Sequence, residues 1–439
     1  MKDPQIAARD QRTAWFRQSR FGMFIHWGLY AIPARGEWVR SVERMPEAQY
    51  LPFFDEFTAR DCDPKAWARL AKEAGMQYAV LTAKHHDGFC LWDSQLTDFK
   101  STNTPAGRDF VREFLDAFRA EGIRVGLYYS LLDWHHPDFY AYGDRQHPER
   151  DNKAFQNYPH DFDRYLRYLH GQVEELLTGY GKLDLLWFDF SYQDQMHVMS
   201  GEAWKATELM AMVRRLQPDI VVNNRLEAGG NVSGTLLTAH PAVYAGDFAS
   251  PEQMLPPDGV RDENGDPVPW EACITLNDHW GYVAHDRHYK TPQLVVRMLA
   301  ECVSKNGNLI LNVGPDARGC IPPQAQSILR QVGAWLQKNG DAIYGCSACG
   351  LEKPEWGRYT QKENKIYAHV LEPSAGAFPV RGLAGRIEKA RLPADGSELA
   401  VTTPWNAEAY AGYQFFSFDG QGYPLPDELD TVVEFTVKE

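Results

Sequence analysis

The chain has 439 residues, 44% of them apolar and 24% charged, which excludes a disordered or collagen-like chain and leaves room for a sizeable core. Its 59 acidic against 45 basic side chains give a net charge of −14, which repels phosphate backbones and anionic lipid, so neither nucleic acid nor a membrane is expected as a partner. Aromatic residues reach 13%, with 13 Trp, and flat indole faces suit the C–H faces of sugars.

The N-terminal segment lacks the uninterrupted apolar stretch of a signal peptide, and no later run is long enough to cross a bilayer. Seven cysteines, an odd count spread over a long chain, do not form a disulfide framework. A cytoplasmic protein is the expectation.

Short apolar runs that end in polar or aromatic residues predict buried strands at 21–27, 78–85, 123–130, 184–190, 219–225, 243–248, 272–276 and 308–313. Helical patterns lie between most of them, at 64–75, 107–121, 160–179, 201–217, 291–305 and 323–339. Asp63 is placed to cap the first of these, Pro64 suits its first turn, and Gly75 ends it. A turn-rich stretch, 256–269, separates the sixth and seventh strands. Eight alternating units imply an α/β fold, a closed parallel (β/α)8-like barrel, over residues 1–345. After Gly345 the pattern changes to alternating and β-branched runs at 365–370, 398–402 and 431–437, separated by Pro and Gly. These predict a small antiparallel β domain over 346–439.

A barrel of this kind builds its site at the C-terminal ends of its strands. Those ends carry His26 and Trp27, then His85 and His86, then Tyr128, and later Arg225. The fourth strand holds the most informative residue, because a carboxylate among aromatics costs several kcal/mol unless a charge or a donor meets it. Side chains alternate along a strand, so Trp187 and Asp189 share one face while Leu186, Phe188 and Phe190 share the other. The greasier face should meet the helices, which turns Asp189 into the barrel mouth. A buried ion pair with Arg225 is the plain structural alternative.

Hydrolysis of a glycoside needs a second carboxylate, since one group protonates the departing oxygen while another attacks or activates water. Glu252, in a loop after the sixth strand, can swing over the mouth. Glu271, just before the seventh strand and on the opposite end, and Glu227, two residues past Arg225, are the other candidates, each with a solvated surface carboxylate as the bland reading. A metal hydrolase is a rival reading in which His26, His85, His86, His135 and His136 supply ligands. Against it, the first strand has no His-x-His pair, and His85 and His86 project to opposite sides unless the strand breaks between them. No metal or other cofactor is expected. Cys346 and Cys349 have redox spacing without a thioredoxin-like pattern after them, and read as incidental thiols.

Seven segments, 21–30 (FGMFIHWGLY), 36–38 (GEW), 83–89 (AKHHDGF), 126–130 (GLYYS), 186–189 (LWFD), 247–252 (DFASPE) and 304–315 (SKNGNLILNVGP), occur in the order in which α-L-fucosidases of glycoside hydrolase family 29 carry similar motifs. The chain resembles that family over about residues 15–345. The resemblance implies a (β/α)8-like barrel followed by a C-terminal antiparallel β-sandwich, and a retaining exo-glycosidase that removes terminal α-L-fucose from oligosaccharides or glycoconjugates. It places Asp189 at the nucleophile position and Glu252 at that of the acid/base. It places His26, Glu37, Trp38, His85, His86, Tyr128, Trp187 and Arg225 around the sugar, and Trp280 near its methyl group. On this reading the Arg225 charge keeps Asp189 ionised, and loop burial beside aromatics keeps a proton on Glu252. Phe190 departs from the small residue the family usually has after its nucleophile. An α-L-galactosidase, acting on a sugar with one more hydroxyl, is therefore a second reading, and a carbohydrate-binding protein without turnover is a third.

Overall fold

A computed structural model describes residues 3–193, 197–228, 242–402, 405, 407–418 and 424–438. Seven parallel strands, β1 (Phe21–Ile25), β2 (Tyr78–Lys84), β3 (Arg124–Ser130), β4 (Leu185–Asp189), β5 (Val221–Val222), β6 (Trp270–Thr275) and β7 (Gly307–Val313), curl into one sheet in the order β5-β4-β3-β2-β1-β7-β6. Its two edges meet through residues 248–252, by single parallel bridges from Asn223 to Phe248, Ala249 to Trp270 and Glu252 to Cys273.

Two strand expectations are corrected by this closure. The sixth predicted strand, 243–248, forms no ladder. The Asp247 carboxylate accepts from the Val222 N–H at 2.9 Å and from Arg12 at 2.8 Å, and Pro251 has no N–H to offer a neighbour. The fifth shrinks from 219–225 to two residues because the Asn223 side chain takes over the pairing. Its amide accepts from Phe188 N and donates to Phe188 O, both at 2.9 Å. The chain is thereby released into a 3-10 turn, Asn224–Leu226, which carries Arg225.

The helices fall where periodicity puts them, and their starts are chemically marked. Asp63 accepts from Lys65 N at 2.9 Å ahead of Pro64–Glu73, Asp109 caps Phe110–Ala120, Asp161 caps Phe162–Gly179 and Thr291 caps Pro292–Val303. Gly75, at φ +80°, supplies the left-handed residue that ends the first of them.

Alternation along the strands divides the core in two. Phe24, Tyr78, Val80, Tyr128, Leu185, Trp187 and Ile310 fill the barrel, and Phe16 closes its N-terminal end against Tyr78 and Phe248. Leu186 and Phe188 belong to the outer layer with the helices. Toward the C-terminus, a five-stranded antiparallel sheet, built on Gly357–Lys362, Lys365–Val370, Ile387–Arg391 and Thr431–Val437 with the short Ser347–Ala348, faces a three-stranded one of Phe378–Arg381, Val401–Thr402 and Tyr413–Phe416. Trp356, Ile366, Phe378, Phe416, Val433 and Phe435 pack between them as a sandwich core. Among the described residues, no helix is long and apolar enough to cross a membrane, and all seven cysteines are free thiols.

Candidate active site

At the C-terminal ends of the strands a recess is lined by Phe24, His26, Trp38, His85, His86, Tyr128, Trp187, Asp189, Phe190, Arg225, Glu252, Cys273 and Trp280. Asp189 ends β4 and points inward, as strand parity requires. Its two oxygens have different partners: Oδ1 accepts from Arg225 Nη1 at 2.8 Å, and Oδ2 accepts from the Tyr128 hydroxyl at 2.8 Å. His86 Nε2 stands 3.8 Å from Oδ2.

Arg225 joins the site together. Its second terminal nitrogen, Nη2, lies 2.8 Å from Glu252 Oε2, so one guanidinium spans both carboxylates. Its Nε donates to Ser250 Oγ at 3.1 Å, and its carbon sits 4.4 Å from the Trp187 ring centroid. Burial alone would lower the Arg225 pKa, but the charges of Glu252 and Asp189 outweigh it and raise the net value, so the cation is permanent. Glu252 lies on a rim segment among the aromatics that line the recess and is paired with Arg225, with 24% of its side chain exposed against 10% for Asp189.

The three histidines at the mouth are neutral. Burial pushes His26 down to about 3 despite a hydrogen bond to Asn312. It pushes His86 to about 3 as well, with the Lys84 and Arg225 charges adding to the effect, and carries His85 well below its ordinary value. The tautomers follow from the partners. The Asn312 amide donates to Trp280 O at 2.7 Å, so its oxygen faces His26 Nδ1, 2.7 Å away, and that nitrogen carries the proton. Ser130 donates to Leu132 O, so it accepts from His86 Nδ1 at 2.7 Å. Both Nε2 atoms are left as acceptors for hydroxyl groups.

His85 and His86 share the recess because β2 ends at Lys84 and the chain turns, leaving the ring centroids 4.1 Å apart. Trp38 packs against His86 at 4.9 Å and Trp280 against His26 at 4.9 Å. Glu37 lies just behind the lining. It accepts from Gly281 N at 2.7 Å, fixing the turn that carries Trp280, and burial raises its pKa despite that bond. The other two carboxylate candidates are corrected. Glu227 and Glu271 are 3% and 0% exposed, buried rather than solvated, and Glu271 lies within β6, not before it. His135 and His136 stay outside the recess, with Glu47 and Asp138 as neighbours. Among the described residues, the one group of three metal-type side chains that converge is Asp278, Asp286 and His288, none of them in the recess.

Phe24, Cys273 and the orienting Asn312 were missed from sequence. Each lies on the inward parity of its strand, and carrying the alternation of β4 across to β1, β6 and β7 finds them.

A parallel barrel whose mouth sets two carboxylates on one arginine, among indoles and neutral imidazoles, has the makings of a glycoside hydrolase. A family model for alpha-L-fucosidase matches residues 2–341. The plasma alpha-L-fucosidase of Rattus norvegicus is 33% identical over 371 residues, 78% of this chain and 73% of its own. Alpha-L-fucosidase isoenzyme 1 from Paenibacillus thiaminolyticus superposes with a TM-score of 0.93 at 62% identity, covering 98% of this chain and all of the other. A family 29 alpha-L-fucosidase from Bacteroides thetaiotaomicron, trapped as a covalent intermediate with 2-fluoro-fucosyl fluoride in a glutamate-to-glutamine mutant, gives 0.81 at 29% identity, covering 100% and 97%. The chain belongs to the alpha-L-fucosidase family.

Proposed function

We propose that this α-L-fucosidase releases terminal α-L-fucose from fucosylated oligosaccharides or glycoconjugates with retention of configuration, using Asp189 as nucleophile and Glu252 as acid and base. The observation that carries the assignment is the bridge of Arg225 between the two carboxylates. Asp189 accepts hydrogen bonds from Arg225 and Tyr128 at the end of its strand, which suits the attacking carboxylate, while Glu252 lies on the more exposed rim beside Arg225, where the acid must meet a leaving oxygen.

In the first step an Asp189 oxygen bonds to the anomeric carbon as the glycosidic C–O bond breaks, and Glu252 gives its proton to the departing oxygen. In the second, Glu252 takes a proton from water, whose oxygen bonds to the anomeric carbon and releases Asp189. The covalent species trapped on the Bacteroides relative, in a mutant lacking one glutamate carboxyl, supports this two-step course. The Nε2 atoms of His26 and His86 accept sugar hydroxyls, while Trp38 and Trp280 offer apolar faces to the ring and methyl group.

Incubation with 2-fluoro-fucosyl fluoride and peptide mapping tests the reading. The expected result is one added fluorofucosyl mass on the peptide containing Asp189, and a label on any other side chain overturns it. Turnover of aryl α-L-fucoside is expected to exceed that of aryl α-L-galactoside, whose extra hydroxyl meets the apolar side of the recess.

A further inference from the structure

Beneath the recess, in the N-terminal half of the barrel, a carboxyl group lies buried and, among the described residues, forms no ion pair. Glu271, the second residue of β6, is wholly inaccessible. An apolar side chain of similar volume would fill the space without the several-kcal/mol cost of burying a charge, so the carboxyl needs a reason to be there. Each of its oxygens meets one donor. Oε2 accepts from the Tyr78 hydroxyl of β2, and Oε1 accepts from the indole Nε1–H of Trp187 of β4 at 3.2 Å. Gly22 of β1 leaves the room that the Tyr78 ring occupies, since a Cβ at that position would stand 2.4 Å from the ring. Three strands are thus shaped to bring these donors to Glu271.

The indole it holds is the ring under Arg225, 4.4 Å from the guanidinium carbon, and Arg225 is the group that spans Asp189 and Glu252. We propose that Glu271 is a positioning residue for the reaction: it pins the edge of Trp187 and sets negative charge behind the ring, so that the opposite face holds Arg225 where both carboxylates meet it. An anionic acceptor at the indole N–H adds electron density to the π-face that attracts the cation. The inference rests on the assignment of Asp189 and Glu252 proposed above.

The charge on Glu271 changes near neutrality, because burial pushes its pKa up to about 7 against the opposing bonds from Tyr78 and Trp187. The titratable groups that face it are Tyr78 from β2, Cys273 on its own strand and Cys302 from the helix Pro292–Val303. Burial raises all three far enough to keep them neutral through this range.

The test is Glu271→Gln, with kcat and KM for an aryl α-L-fucoside measured at pH 8 and pH 5. At pH 8 the variant is expected to lose about tenfold in kcat, the worth of one charge-assisted contact, with KM little changed. At pH 5, where the native carboxyl is itself protonated, the two enzymes should agree within about twofold. A deficit of equal size at both pH values, or none at pH 8, overturns the proposal. Should Glu271→Gln fail to fold, Tyr78→Phe decides. Loss of one donor raises the Glu271 pKa, so the pH at which kcat rises must move upward, and an unmoved profile overturns the proposal. Asp189→Ala is assayed beside them. Activity in that variant brings down the underlying assignment, whereas an inactive Asp189→Ala with a pH-independent Glu271→Gln deficit brings down this inference alone.

Discussion

The two carboxylates at the mouth differ in how the chain holds them. Asp189 stands at the end of a ladder strand, paired by β3 along its whole length, with its side chain 10% exposed and two donors in place. Glu252 sits on a rim segment joined to the barrel by single bridges, with 24% of its side chain exposed and Arg225 as its ion-pair partner. In the proposed mechanism the wall fixes the group that must strike one carbon at one angle, and the rim carries the group that exchanges protons with a leaving oxygen and then with water, for which reach matters more than rigidity.

Removing the wall carboxylate tests this division most severely. Asp189→Ala should lose about ten-thousandfold or more in kcat on every fucoside, because the proposed intermediate forms on that carboxylate. Steady-state rates on aryl and natural substrates check it, and a variant within tenfold of the native enzyme would end the comparison. Glu252→Ala should discriminate where Asp189→Ala does not. With poor leaving groups the loss should be on the order of a hundredfold or more, while an activated aryl fucoside needs no acid in the first step and should still react in a burst. Equal losses on both substrates would place Glu252 in a structural role.

Arg225 is where wall and rim meet, and Arg225→Lys sharpens the contrast. An ammonium keeps the charge but cannot present two parallel donors to two acids. We expect about a tenfold fall in kcat, with Ser250 left without its guanidinium partner. Unchanged kcat would show that charge alone suffices.

The wall was legible in the sequence residue by residue and the rim only as a loop over the mouth, for physical reasons. A period of two in LWFD is enough to tell which way Asp189 faces, and the capping chemistry of Asp63 and Pro64 marks a helix in the same local manner. Residues 248–252 have no period. Their place is set by Asn223 and Asp247, whose side chains displace ladder bonds across long sequence distances, and no local pattern announces that. Glu271 misled for a related reason. Read beside a turn-rich stretch, it passes for a solvated residue, and only the partners contributed by β2 and β4 show it to be buried.

The last expected effect is on stability and concerns how dry the wall is. His86, behind Asp189, titrates at about 3 because it is buried and faces the Lys84 and Arg225 charges, whereas in the unfolded chain it titrates near the ordinary 6.5. Above pH 6.5 neither state holds the proton, and His86 contributes no pH dependence. Between 6.5 and about 3 only the unfolded chain takes it up, so stability falls as pH falls across that window. Glu271 and Asp87, pushed up to about 7 and about 6 by burial, act in the opposite sense over part of the same range, so only a difference between two chains isolates the histidine. In urea unfolding at pH 7 and pH 5, His86→Asn should lose less stability on acidification than the native chain, by about 2 kcal/mol, which is 1.5 pH units of one withheld proton. An identical loss in both chains would mean that water reaches His86 in the folded enzyme, and that the wall is as wet as the rim.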